Sequence, residues 1–190
     1  MNKPLRENRN KKEPSATART AEQAAHPHLE LMKKTAPRNT DRKKAGIGLL
    51  MLWLSDDITQ TVNRSLARYG VSEKKFDVLM LFGLAQRGFL EVDILTPSYM
   101  SDYFGVTRSS VTGLLDWLEN RQLLARQASA QDRRSLTLEL TETGQSLLNE
   151  ALPGFWKSCE NLVSALDDDE CDLLQKALGK VWHQLKHNPQ

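Results

Sequence analysis

The chain has 190 residues, 39% of them hydrophobic, and a formal net charge of +2 at pH 7, which suits one domain with an extension. No apolar run approaches the roughly 20 residues that span a bilayer, and the first residues lack the apolar stretch of a secretory signal, which argues against membrane and secreted proteins. The two cysteines, Cys159 and Cys171, suit a reducing compartment and match no metal-ligand spacing, so we expect a cytoplasmic protein without a metal or other cofactor.

Residues 1–44 form a basic extension, with twelve Lys and Arg against five Asp and Glu. Polar residues dominate and prolines are spaced through it, so we predict that it is disordered. Pro27 should interrupt any helix near residues 20–34. Two interpretations stay open: a basic arm that contacts phosphate groups, and a tail that only keeps the protein in solution.

Residues 45–69 are typical of one long helix, closed by Gly70 in a position that favours a left-handed cap. The first half of this helix, IGLLMLWL, is apolar on nearly all sides. A short helix of this kind must be buried on more than one face. In a small domain that requirement predicts a subunit interface.

Two shorter helices are expected next. Ser72 caps the first, and the weak alternation over residues 89–95 favours a short strand added to a sheet. Thr96-Pro97 is a clean start for the second, and free N–H groups near Ser98 could hold a phosphate. Gly105-Val106 then turns the chain into another helix, which is the spacing of a helix-turn-helix.

The helix that Thr107 caps carries its apolar residues at three- and four-residue steps, namely Val111, Leu114, Leu115 and Leu118. The opposite face is small and polar in its first turns, with Ser109 and Gly113 flanked by Thr112. Small residues let a backbone approach DNA closely, and hydroxyls can bond phosphates or base edges. An ordinary solvated face is the commoner interpretation, and the helix alone does not decide between them.

A basic hairpin follows this helix. Leu123 and Leu124 precede a polar stretch, and a second strand holds Leu136, Leu138 and Leu140 at a period of two. Between the strands, Arg134 could enter a minor groove, where the potential is most negative, and Asp132 could hold an arginine in a fixed pose. The alternative is an ordinary exposed hairpin with surface charges.

Thr141 is expected to cap a helix that runs to about residue 166, with a kink or break at Pro153-Gly154. Asp167 or Asp168 should start the last helix. Its apolar stripe could pair with the helix of residues 45–69 from a second copy. Packing within the same chain is the alternative.

The order of these elements resembles the MarR-type winged helix-turn-helix regulators over roughly residues 45–187. The residues that carry the resemblance are the helix SSVTGLLDWLE, Asp132-x-Arg134 in the wing, and Leu140-Thr141-x-x-Gly144 after it. It implies a mostly α fold with a small β-wing: a winged-helix lobe at residues 72–144, flanked by dimerisation helices at residues 45–70 and 145–190.

The resemblance also implies a function. The expected protein is a homodimeric repressor that binds double-stranded DNA at a pseudo-palindromic operator and is released by a small aromatic or phenolic effector. The expected DNA-binding residues are Ser98, Arg108, Ser109, Ser110, Thr112, Gly113, Asp132, Arg133 and Arg134. An effector pocket would be lined by Trp53, Arg64, Phe76 and Met80. The sequence departs from many relatives at Gly113, where they have arginine, and at Gln122, where they have glycine.

Two other classes of function remain as alternatives. A winged helix can serve protein contact without specific DNA binding, and a reversed charge at Arg108 or Arg134 would have supported that, but neither is reversed. An enzyme is disfavoured because no nucleophile–base pair, paired carboxylates or glycine-rich phosphate loop is present. The four histidines lie in tail or terminal regions, which suits catalysis poorly.

Overall fold

The computed structural model describes residues 21–91, 95–128 and 136–187. In chain order its elements are α1 (Ala21–Thr35), α2 (Arg42–Leu66), α3 (Glu73–Gln86), α4 (Pro97–Phe104), α5 (Arg108–Asn120), β1 (Leu124–Ala128), β2 (Leu136–Leu140), α6 (Glu142–Leu162) and α7 (Asp168–His187). They divide into two compact units, residues 1–55 and residues 56–190.

Within the first unit, α1 occupies part of the extension that the sequence predicts to be disordered, and it continues through Pro27. A proline inside a helix removes one backbone hydrogen bond, and contacts with α2 offset that loss. The His28 ring packs edge-on against Trp53 with centroids 4.9 Å apart, and Leu29 lies against Gly46. α2 begins at Arg42 rather than Ala45, after an Asp41 carboxylate that accepts a hydrogen bond from the Lys44 N–H.

The second unit is built around one hydrophobic core. Its centre is Phe76 of α3, which is fully buried and whose ring centroid lies 5.1 Å from that of Phe155 on α6. Residues from every neighbouring helix and from the start of β1 complete the core, including Leu66, Leu79, Met100, Val111, Leu115, Leu118, Leu124 and Leu148. The predicted apolar stripe of α5 is thus confirmed as its buried face.

The connection between α2 and α3 is fixed by a left-handed glycine and by a side chain of α2 that caps α3. A short 3-10 turn, Ala67–Tyr69, follows α2, and Gly70 closes it in the left-handed region at φ 67°, as predicted. Ser72 stands before α3, but its side chain makes no capping hydrogen bond. The Oδ1 atom of Asn63 instead accepts from the Glu73 N–H at 2.7 Å, so the cap comes from α2.

The two strands form an antiparallel hairpin in which Leu124 pairs with Leu140 and Ala128 with Leu136. The turn before β1 places Gln122 at φ 56°, a left-handed backbone. After β2, Thr141 caps α6 by accepting from the Gly144 N–H at 2.9 Å. A Cβ atom at Gly144 would lie 2.1 Å from the Leu123 carbonyl oxygen, so the hairpin and α6 meet there only because this residue is glycine.

Two predictions about the C-terminal helices were wrong. α6 has no break at Pro153 and ends at Leu162 rather than near residue 166. Pro153 is exposed, while Ala151 and Phe155 on either side of it are buried, so packing holds the helix through the proline. The next helix starts as predicted: the Asp167 carboxylate accepts from the Glu170 N–H, and the Glu170 carboxylate accepts from the Asp167 N–H, which is a capping box in form.

The strand expected over residues 89–95 is not found in its described part, residues 89–91 and 95. Residues 92–94 lie outside the described residues. Within the described residues the sheet has two strands. None of the helices there combines the length and the apolar character that crossing a bilayer requires.

Candidate nucleic-acid interface and adjacent pocket

α4 and α5 form a helix-turn-helix whose corner is fixed by backbone and side-chain bonds. Thr96 caps α4 by accepting from the Tyr99 N–H at 3.1 Å, as predicted. Gly105 ends α4 at φ 65°. The Val106 N–H then donates to the Ser101 carbonyl, and the Ser101 hydroxyl donates back to the Val106 carbonyl at 2.6 Å. These reciprocal bonds set the angle at which α5 leaves the turn.

A cluster of hydroxyls stands at the start of α5. The Thr107 oxygen accepts from the Ser110 N–H at 3.2 Å, which confirms the predicted cap. The same oxygen lies 2.9 Å from the Ser109 hydroxyl and 2.8 Å from that of Ser110. One turn later, the Thr112 hydroxyl donates to the Arg108 carbonyl at 3.0 Å. Each hydroxyl therefore has a preferred direction and can still take part in a hydrogen bond with a ligand.

The exposed side of α5 is continuous with this cluster. Arg108, Ser109, Ser110, Thr112 and Gly113 are all exposed, and no atom lies within 4 Å of the position that a Cβ atom would take at Gly113. Ser98, in the first turn of α4, is half-buried. The structure thus brings the predicted residues of α5 together on one open surface with room for close approach.

The base of the hairpin is tied to α5 by an ion pair. Arg126 of β1 donates two hydrogen bonds to the Glu119 carboxylate, from Nε at 2.9 Å and from an Nη atom at 3.1 Å. This contact raises the pKa of Arg126, first through the hydrogen bond to Glu119 and then through the charge of Glu119. Two parallel bonds fix a direction as well as a distance, so the strand that leads to the wing tip is oriented relative to α5.

The predicted wing-tip residues Asp132, Arg133 and Arg134 lie outside the described residues. The described strands on either side of them, β1 and β2, bring the chain to and from the tip. Sequence reasoning missed Glu119 and Arg126. The available signal was an acid near the end of the helix and an arginine in the strand, which is too common to single out.

A pocket of about 470 Å³ lies in the second unit between α3, α4 and α6. Its walls are mainly apolar and aromatic, and the polar groups among them are few. The lining residues are Asp77, Met80, Leu81, Gly83, Leu84, Arg87, Tyr103, Phe104, Leu148, Leu152 and Trp156. Because Tyr103 and Phe104 belong to α4, the pocket shares an element with the helix-turn-helix.

Asp77 is the acidic group of this pocket, and its pKa is raised to about 7. Burial is the largest cause, because it disfavours the charged carboxylate, and the neighbouring Glu73 raises the pKa further by its charge and by a hydrogen bond. Burial, followed by the charge of Asp77, also raises the pKa of the Cys159 thiol on α6.

The four residues predicted to line an effector pocket lie in different surroundings. Met80 lines the pocket, whereas Phe76 is fully buried in the core. Arg64 is exposed and donates to the Thr61 hydroxyl on its own helix. Trp53 belongs to the first unit, where it contacts His28. Half of the ten pocket residues that sequence reasoning missed are on α4 and α6, whose approach to α3 depends on tertiary packing.

The comparisons with known proteins agree with this fold. The model of the MarR family matches residues 69–135. The HTH-type transcriptional repressor YetL of Bacillus subtilis (strain 168) is 32% identical over 163 residues, which are 83% of this chain and 95% of YetL. The transcriptional repressor MprA of Escherichia coli (strain K12) is 30% identical over 161 residues, 84% of this chain and 89% of MprA. In the crystal structure of the S. aureus MepR–DNA complex, the protein has the same fold, with a TM-score of 0.61, 24% identity, and coverage of 72% of this chain and 94% of MepR. This chain belongs to the MarR family.

Proposed function

We propose that this protein is a homodimeric transcriptional repressor that binds a pseudo-palindromic DNA operator and is released from it by a small aromatic effector. The observation that carries the proposal is the exposed hydroxyl and glycine surface of α5 beside a hairpin fixed to the same helix by Glu119 and Arg126. The names of YetL and MprA as repressors, and the MepR complex with DNA, support it.

In this proposal α5 enters the major groove, which admits an α-helix. The groove-facing residues are Arg108, Ser109, Ser110, Thr112 and Gly113. Ser98, near the N–H groups that open α4, holds a backbone phosphate. At the wing tip, Arg134 enters the adjacent minor groove with Asp132 orienting it and Arg133 beside it. Because Gly113 has no side chain, base reading depends on the hydroxyls and on the close approach of the backbone.

A second copy of the chain is the expected partner of two apolar surfaces. In the first unit, Ile47 and Leu52 are 53% and 69% exposed. In the second, α7 has no buried residue, and Leu173, Trp182 and Leu185 are 68%, 62% and 70% exposed. Groups of exposed large apolar side chains of this kind mark interfaces. The helices of residues 45–70 and 145–190 are therefore proposed to hold two winged-helix lobes, residues 72–144, at the spacing of two half-sites.

The pocket between α3, α4 and α6 is the proposed effector site. It contains Met80 of the residues expected from the sequence, and its volume of about 470 Å³ lies in the range of small-molecule sites. A ligand that favours one position of α4 shifts the spacing of the two α5 helices and so lowers operator affinity. This function needs no catalytic step. We propose that the protein acts in the cytoplasm, because the bacterial chromosome lies there.

The test is selection of bound sequences from a random DNA pool with the full-length protein. We expect enrichment of a two-fold symmetric site. Arg134→Ala should then weaken binding to that site by about 1–3 kcal/mol if the side chain enters the groove. Arg64→Ala is the matched control, because Arg64 bonds within its own helix, and it should bind as the wild type does.

Absence of any enriched sequence would overturn the proposal. If a site is enriched but Arg134→Ala binds it with unchanged affinity, the minor-groove role of the wing is wrong. If a folded and dimeric protein enriches no DNA sequence, the alternative of a winged helix that contacts other proteins is favoured.

A further inference from the structure

The mouth of the pocket has two aromatic side chains that are unusually open. Tyr103 of α4 is 48% exposed and Trp156 of α6 is 58% exposed, although both line the pocket. Tyr103 contacts Phe104 edge-on, with ring centroids 5.2 Å apart, and Trp156 contacts Phe155 at 5.0 Å. Tyr103 also stacks on Tyr99, with ring centroids 6.0 Å apart. Each ring is thus positioned by its neighbours while about half of its side chain stays exposed, which suits a flat aromatic ligand.

Arg87 is the positive group of the pocket, and it already donates two hydrogen bonds within the protein. Arg87 donates one hydrogen bond to the Gly83 carbonyl at 2.9 Å and another to the Asn149 side-chain oxygen at 3.1 Å. These bonds direct the guanidinium along the seam between α3 and α6. These bonds use two of the five N–H donors of Arg87, so an anionic ligand could reach only the remaining three.

The negative group, Asp77, is hydrogen-bonded to Glu73 but is not paired with a positive charge. In the part of the chain that the structure describes, no ion pair joins Asp77 to a lysine or arginine. Of the two lysines that precede it on α3, Lys74 lies 3.1 Å from a Glu73 oxygen and Lys75 lies over the Trp117 ring. The charged and titratable groups that act on Asp77 are Glu73 and Lys74 of α3, and it acts in turn on Cys159 of α6. Asp77 therefore lines a mainly apolar pocket without a cation of its own, while the neighbouring Glu73 is already paired with Lys74.

We propose that this pocket binds a flat aromatic organic monocation, with the positive group against Asp77 and the ring system between Tyr103 and Trp156. The cation supplies the ion-pair partner that Asp77 lacks, and the exposed aromatic surfaces add cation–π attraction. A phenolate or an aromatic acid would bring a second negative charge close to Asp77. Binding itself does not depend on the proposed function; only the consequence, release of the operator, rests on it.

The proposal predicts a pH dependence with a definite sign. Asp77 with a pKa of about 7 is mostly protonated at pH 6 and mostly ionised at pH 8. A cation binds the ionised form, so proton and cation compete. A ligand with a permanent charge should bind about tenfold more tightly at pH 8 than at pH 6, the ratio of the ionised fractions.

The probe is (1-naphthylmethyl)trimethylammonium, which keeps its charge at every pH. Its neutral isostere, 1-neopentylnaphthalene, and the anion 1-naphthylacetate are the comparison ligands. Titration calorimetry with the full-length protein, without DNA, should show the cation binding more tightly than both by about tenfold or more at pH 8, the value of one well-placed charge contact.

Two variants locate the charge. Asp77→Asn should abolish the preference for the cation and its pH dependence while it leaves the neutral isostere unchanged. Asp57→Asn, an exposed position on α2, makes the same change of charge outside the pocket and should behave as the wild type. Trp156→Ala should weaken all three ligands.

Equal or tighter binding of the isostere or the anion to the wild type would overturn the proposal, as would affinity for the cation that does not vary between pH 6 and pH 8. Both results come from the wild type, so they stand even if Asp77→Asn fails to fold. A cation that binds in the pocket but leaves operator affinity unchanged would confirm the site and refute its role in release. If the protein binds no operator even without the ligand, the proposed function is wrong, but the binding site for the cation is not affected.

Discussion

At the scale of single residues, Gln122 stands out because it holds φ 56° without being glycine. A side chain in this left-handed region costs about 1–2 kcal/mol, whereas glycine adopts it freely. Gln122→Gly should therefore raise the free energy of unfolding by about 1 kcal/mol, after the greater entropy of glycine in the unfolded chain is allowed for. Denaturant unfolding measures this. Gly105→Gln, at φ 65°, is the matched reverse change and should destabilise; lower stability of Gln122→Gly would contradict the argument.

Residue-scale prediction succeeded where the cause is local. Thr96, Thr107 and Thr141 all cap their helices as expected, because an N-cap bond joins residues close in sequence. It failed at Ser72, whose place is taken by Asn63, nine residues earlier on another helix. It also could not show why Gly144 is needed, since the obstructing Leu123 carbonyl comes close only once the hairpin has formed.

At the scale of elements, the link between α5 and β1 is the contact on which wing placement depends. Arg126→Ala should weaken operator binding several-fold, because the strand loses its orientation relative to α5, and should change the midpoint of thermal unfolding little, since an exposed ion pair stabilises weakly. Exchanging the charges (Glu119→Arg with Arg126→Glu) should restore part of the affinity. Gel-shift titration measures the operator affinity of each variant, and thermal unfolding measures its stability.

Lys157→Ala is the control for this experiment, because Lys157 also pairs with a glutamate, Glu160, but on α6 alone. An Arg126→Ala protein that loses stability and DNA binding in proportion would mean that the pair only supports the fold.

Element types were predicted well because their apolar periods are long and clear. Pro27 and Pro153 misled the prediction because packing of neighbouring residues keeps each helix intact.

At the scale of the whole molecule, no stretch of sequence fixes how two lobes are spaced; that depends on apolar surfaces which only a second copy would cover. Periodicity indicated the stripe of α7, and the structure adds that no residue of α7 is buried. The pocket also shows what sequence alone does not give, because its lining depends on how the helices pack. Met80 was foreseen on α3 from the family resemblance, but Tyr103 and Trp156 could be assigned to it only after three helices were packed together.

The dimer supplies the last prediction. Leu178 of α7 is 46% exposed, and burying a leucine stabilises by about 1.5 kcal/mol or more. A symmetric dimer repeats each contact, so Leu178→Glu should weaken self-association by at least about a hundredfold. Sedimentation velocity over a range of concentrations measures this. Phe89→Glu, at a position 71% exposed outside both apolar surfaces, should leave the dimer intact. If Leu178→Glu stays dimeric and binds an operator normally, α7 does not join the two copies, and the half-site spacing must be set by α2 alone.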